Sequence, residues 1–272
     1  MQFQFRLTPV AEINPWGADQ GRPSLHWYGL TDGWFWIEAG GQELFRYTEE
    51  VLHHWHQQVP EGCLSPLPYE NYQVARYWED LLELLPAILD PLPPDLVARV
   101  ADARGWSDLQ SRALRWQEVQ ASETAWDAYY MAAAWWGRRT WDAGHLAHPP
   151  CIALWRVEDT VHIRWDNRQV TVNGAPVWEA LEDEVTLPVA EFLAAVESFH
   201  RRFSSEMERR VAEVTAEPPL HVEIDLVALL LEQEERHGLL QSALRPGTTE
   251  AGRDYSWDEV RAALAVVERG TV

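Results

Sequence analysis

Residues 29–45 read GLTDGWFWIEAGGQELF, and how this stretch is read decides the fold. Asp32-Gly33 and Gly40-Gly41 have the residue types of tight two-residue hairpin turns. Around them, residues 25–30 (LHWYGL), 34–39 (WFWIEA) and 42–47 (QELFRY) are short, aromatic-rich runs with the composition of strands. Tight turns at both pairs fix the register. Trp27, Trp34, Trp36, Glu38, Glu43, Phe45 and Tyr47 then share one face, while Tyr28, Leu30, Phe35, Ile37 and Leu44 share the other. Gly29 falls opposite Trp36, where a missing side chain leaves room for the indole. Both faces are apolar, so the spacing predicts a meander over about 25–47 that is covered on both sides.

Downstream the period changes. TEEVLHHWHQQ opens with a Thr cap and two acids, predicting a helix over 48–58. A Pro-bearing link, Pro60 to Pro68, leads to further helices over about 69–85, 94–103 and 107–120. The segment 123–142 is apolar or aromatic around most of its circumference, which predicts a central, buried helix. A second β unit spans about 151–178, with strand-like runs at 151–157, 160–165 and 169–172. Its turns fall at Glu158-Asp159, Asn167-Arg168 and Asn173-Gly174. Pairing across Glu158-Asp159 sets Trp155 opposite His162, with Arg164 one step along the same face. Ile152, Leu154, Val161, Ile163 and Trp165 line the reverse face. Over about 187–214, Val189, Phe192, Leu193, Val196, Phe199, Phe203, Met207, Val211 and Val214 form the stripe of a long amphipathic helix. Helices over 222–242 and 257–268 complete the chain, the last with a capping-box spacing from Ser256 to Glu259. The expected class is α+β in one domain over 1–272, with 1–120 and 121–272 as possible sub-units.

Composition limits the function. The 272 residues are 46% hydrophobic and 24% charged, as in ordinary globular proteins. The opening MQFQFRLTPVAEI alternates like a strand and lacks the pattern of a signal peptide, and no apolar run reaches membrane-spanning length. The expected location is the cytoplasm, where Cys63 and Cys151 are free thiols. Forty-three acids against 22 bases give a formal charge of −21. Such a field repels nucleic-acid backbones and speeds the docking of a basic protein, besides favouring solubility. All 22 bases are arginines; with no lysine, Schiff-base and phosphate-loop lysine chemistry is excluded.

Catalytic and cofactor-binding signatures are missing: there is no H-E-x-x-H, G-x-S-x-G, phosphate-loop or G-x-G-x-x-G motif. Weaker constellations remain. His53 and His56 share a helix face and have the spacing of a metal-ligand pair, or else belong to a polar stripe beside Trp55. His145 and His148 in GHLAHPP offer a second such pair, although a place near a helix C-terminus already accounts for His145. Trp155, His162 and Arg164 can wall a pocket for an anion or planar ligand, or serve an internal ion pair over a packed indole. The pairs Arg138-Arg139, Arg201-Arg202 and Arg209-Arg210 fit helix-spaced ion pairs with nearby acids.

NPWG followed by LHWYGLTDGWFWIEAGGQELFRY resembles the opening of an uncharacterised bacterial family, a domain of unknown function with a PWG…LxWxGLTDG stretch. AWWGRRTWDAGHLAHPPCIALWRVEDTVHIRWD is similar to a later passage of that family. The resemblance implies a bacterial accessory protein and carries no activity, cofactor or catalytic residue. Together these readings point to a non-enzymatic, immunity- or antitoxin-like protein that binds a basic protein partner without a cofactor. Its expected contacts are Trp34, Trp36, Glu38 and Glu43, with the acidic stretch Glu179–Glu184. The alternative is a sensor or enzyme for a small molecule or anion that uses the Trp155/His162/Arg164 face.

Overall fold

Strand β1, Gln2–Leu7, organises the N-terminal half by pairing antiparallel with β2, Asp32–Ala39, along its whole length. The computed structural model describes residues 1–17, 21–57, 67–220, 222–245 and 255–270. On its other edge β2 pairs with β3, Gln42–Leu44, and with β4, Glu70–Gln73. The Gly40-Gly41 turn is as predicted: Ala39 faces Gln42 across it, and both glycines have positive φ (58° and 79°).

The other turn does not form. Asp32-Gly33 begins β2, because β1 occupies the edge on which residues 25–30 were expected. Trp36 therefore faces Gln4 rather than Gly29, and residues 29–31 form a 3-10 turn. LHWYGL looks like a strand in isolation, but its large side chains serve helix packing. Trp27 is buried, donates from its indole to Gln233 Oε1 at 2.6 Å, and lies under the Arg236 guanidinium. Phe45 also leaves the expected face. Its φ of 66° is rare for a bulky residue and turns the ring into the core beside Phe35.

The second unit pairs β5, Ile152–Val157, with β6, Thr160–Asp166, in the expected register, including Trp155 opposite His162. Its third strand is not 169–172 but β9, Glu182–Pro188, which pairs with β6 throughout. Two short strands, β7 (Thr171–Val172) and β8 (Ala175–Pro176), form a separate hairpin across Asn173-Gly174. The last three residues of the acidic stretch Glu179–Glu184 thus begin an edge strand.

The helices are α1 (Glu49–His56), α2 (Val74–Leu89), α3 (Pro94–Ala101), α4 (Ala103–Gln120), α5 (Glu123–Gly137), α6 (Val189–Ala216), α7 (Leu226–Arg236), α8 (Leu239–Ala243) and a closing helix, Trp257–Gly270. Thr48 caps α1 by accepting from the Val51 N–H, and Ser256 with Glu259 forms the expected capping box. On α6 the stripe from Phe192 to Val214 is buried, apart from Leu193, which is only half-buried. Arg209 of the paired arginines bridges Glu206 and Glu213, while Arg139 is wholly buried. Helix α5 departs from expectation. It is buried through Ala132, Trp135 and Trp136, but Trp126 and Tyr130 are half exposed, so it covers one side only. Among the described residues no helix is long and apolar enough to cross a membrane.

Among the described residues two apolar clusters result. The larger joins both sheets to α2 and α6, with Phe35 stacked on Tyr77 at 4.4 Å and close to Trp141 and Phe199. The smaller joins α3, α4, α5 and the closing helix to the outer face of β5. The sheets also meet at one tight point, where a Cβ on Gly40 would lie 2.4 Å from Val185 Cγ1 of β9. Gly40→Ala therefore combines backbone strain with a clash, and is expected to destabilise the protein by about 1 kcal/mol or more in urea unfolding. Val185→Ala in that background recovers part of the loss; a neutral Gly40→Ala contradicts this contact.

Candidate functional site

A cleft of about 540 Å³ opens where the β2–β3 hairpin meets the chain entering β9, and Glu38, Gln42, Glu43, Arg46 and Glu179 line it. Local rules place the first two carboxylates. Glu38 and Glu43 are cross-strand partners beside the glycine turn, so both project from the face opposite Phe35 and Ile37. Glu179 arrives from far along the chain. Tyr47 and Trp178 form an antiparallel bridge, and the Glu179 N–H donates to the Arg46 carbonyl at 2.9 Å. Gln42 Nε2 closes the approach by donating to Asp183 Oδ2 at 2.8 Å.

The acids are held in place. Tyr69 Oη donates to Glu43 Oε1 at 2.9 Å, and Arg46 forms an ion pair with the same carboxylate. Trp36 stacks on Tyr69 with centroids 4.2 Å apart and donates its indole N–H to Glu38 at 3.4 Å. Gln4 donates to Glu38 as well. The lining thus sets three carboxylates against one guanidinium, beside an ordered aromatic pair. Like charges directly opposite in a sheet are unfavourable, by about 0.2–1 kcal/mol. Arg46 pairs with Glu43 and also feels Glu179, which is exposed, while Glu38 is half-buried, accepts from Trp36 and Gln4 and lies within electrostatic reach of Arg202. Trp34 shares the face of Trp36 but not the cleft: it is 8% exposed, and the Arg6 guanidinium covers its ring at 5.9 Å.

The Trp155, His162 and Arg164 side chains do come together, as an internal network. Trp155 is 2% exposed, His162 stacks on it at 5.1 Å, and Arg164 lies over its ring at 4.8 Å. Glu184 of β9 accepts from His162 Nδ1 at 2.8 Å and from Arg164 Nε at 2.7 Å. Arg164 also donates to the Val100 carbonyl of α3. The anion that such a face would bind is already present as Glu184, and the smaller core packs against Trp155.

The histidine pairs have other surroundings. His53 and His56 are exposed on α1, and His53 contacts Gln57 at 2.9 Å. His145 lies well past the end of α5, so a helix C-terminus does not explain it. It packs against Tyr72 and Tyr77, neither ring nitrogen has a hydrogen-bond partner among the described residues, and burial holds its pKa below the ordinary value. The His148 carbonyl accepts from the Trp178 indole. Among the described residues no group of three His, Cys, Asp or Glu side chains could hold a metal. Cys151 is a free, exposed thiol, and Cys63 lies outside the described residues.

The Glu184 network has a pH signature. Burial works to raise the Glu184 carboxyl, but the hydrogen bonds from His162 and Arg164 outweigh it and hold it below the ordinary carboxylate value. A depressed native pKa contributes stability that is complete above the unfolded value, near 4.3, and is lost as pH falls through the native one. Glu184→Gln is expected to cost about 1–2 kcal/mol at pH 7 and less at pH 3, read from urea unfolding at both. An equal loss at both would assign the effect to packing.

Neither curated proteins nor solved structures include a match to the chain. The model of a family of unknown function, DUF5984, matches residues 2–263, and the chain belongs to that family.

Proposed function

We propose that the acidic cleft at Glu38, Glu43 and Glu179 is the docking site for a basic protein partner, and that the protein acts by binding rather than catalysis. The observation that carries this reading is the placement of Glu38 directly opposite Glu43. Two carboxylates so placed repel one another, and the donors around them, Trp36 to Glu38 and Tyr69 and Arg46 to Glu43, hold that geometry while offsetting only part of the charge. An arriving arginine or lysine removes the repulsion beside the ordered Trp36 indole, Arg46 already lying over Tyr69. The overall charge of −21 steers such a partner over a longer range. The same field opposes nucleic acid. An immunity- or antitoxin-like role in a bacterial cytoplasm fits this character, with a toxin as the basic partner.

The test uses native protein and a Glu38→Gln/Glu43→Gln/Glu179→Gln variant as parallel baits in lysate of the source cell, eluted with rising salt. A basic protein retained by the native bait, released early in the gradient and lost from the variant supports the reading. Equal capture by the two baits, or release that ignores salt, contradicts it.

A further inference from the structure

A second cleft, of about 700 Å³, lies between α2, α5 and the segment that follows α5. The volume is within the range of sites that take small molecules. Asp80 lines it and is 5% exposed; Glu83 and Asp142, both exposed, line it too. Tyr130, half exposed on α5, and Leu84 of α2 provide aromatic and aliphatic surface.

Cations are in short supply here. The Arg76 guanidinium reaches Asp80 at 3.0 Å and Asp142 at 3.0 Å, so two carboxylates share it. Glu83 has no hydrogen-bond or ion-pair partner among the described residues. Arg138 also lines the cleft, with its guanidinium over the Tyr255 ring at 5.8 Å, so three carboxylates stand against two guanidiniums and an acidic excess remains. Burial pushes the Asp80 carboxyl up to about 7; Arg76 opposes that rise, while Asp142 and Glu83 add to it. A buried carboxylate that is half protonated near neutrality gains from a cation more than a solvated one does.

We infer that this cleft is a binding site for a small organic cation, an ammonium or guanidinium group on a short apolar or aromatic body. The charged head sits among Asp80, Glu83 and Asp142, and the body lies against Tyr130 and Leu84. The three carboxylates select against anions. The site is separate from the cleft at Glu38 and needs no protein partner.

Gly137 makes the inference testable. It lines the cleft, and a Cβ there would meet nothing within 4 Å, so Gly137→Leu can add apolar bulk at the cleft with no clash at its Cβ. The experiment is calorimetric titration of the full chain with phenethylammonium near pH 7 at low salt, with neutral phenethyl alcohol as the control. Saturable binding of the cation is expected, with the alcohol at least about tenfold weaker. Cation binding favours the ionised Asp80, so protons are released, and the heat varies with the ionisation enthalpy of the buffer. Gly137→Leu abolishes binding, Asp80→Asn weakens it about tenfold or more and removes the proton release, and Glu43→Gln leaves it unchanged. Should Asp80→Asn fail to fold, Gly137→Leu carries the test. No saturable binding of the cation by native protein, or binding that survives Gly137→Leu, overturns the inference.

Discussion

At Gly33 the backbone of β1 comes so close that a Cβ would lie 2.4 Å from the Arg6 carbonyl oxygen and 2.8 Å from the Leu7 Cα. Only glycine admits that approach. With β1 in place, β2 is hydrogen-bonded on both edges and its alternation is fixed. Phe35 and Ile37 go to the aromatic core shared with α2 and α6, and Trp36 and Glu38 go outward. The hairpin tip then reaches Val185, which sets the β2–β3 turn against the second sheet. The acidic cleft forms at that junction, so the site depends on a missing side chain at one end of β2 and a glycine turn at the other.

The two sheets treat charge differently. Around Glu184, each partner of the carboxylate is a donor, and the network is closed by Arg164 and His162 over a buried indole. Closure of this kind stabilises β9 and leaves little for a ligand to add. Around Glu38 and Glu43 the neighbours orient the acids without neutralising them all. Within a chain that carries 43 acids, this combination of fixed geometry and incomplete pairing is what sets the cleft apart from a solvated surface. The Asp80 cleft shares that property through its divided Arg76.

Features set by neighbours in the chain were legible in the sequence. The Gly40-Gly41 turn, the pairing of Trp155 with His162, the α6 stripe and the Ser256–Glu259 box follow from turn chemistry, register and helical period. So was the common face of Trp36, Glu38 and Glu43, because one tight turn is enough to specify it. Long-range partnerships were not legible. Local pattern does not show that β1 displaces residues 25–30, or that β9 rather than 169–172 pairs with β6. Strand-like runs compete for an edge, and the choice is made by what their side chains bury: Trp27 goes under Arg236, and Val185 goes against Gly40. For the same reason Glu179 could be named as part of an acidic stretch but not placed beside Arg46.

The central claim is that Glu38 and Glu43 repel one another in the folded protein, the repulsion that the proposed docking would relieve. A double-mutant cycle with Glu38→Gln and Glu43→Gln, read by urea unfolding at low salt, measures the interaction directly. The account predicts a repulsive coupling of about 0.2–1 kcal/mol that shrinks as salt is added. A coupling of zero, or an attractive one, would contradict it.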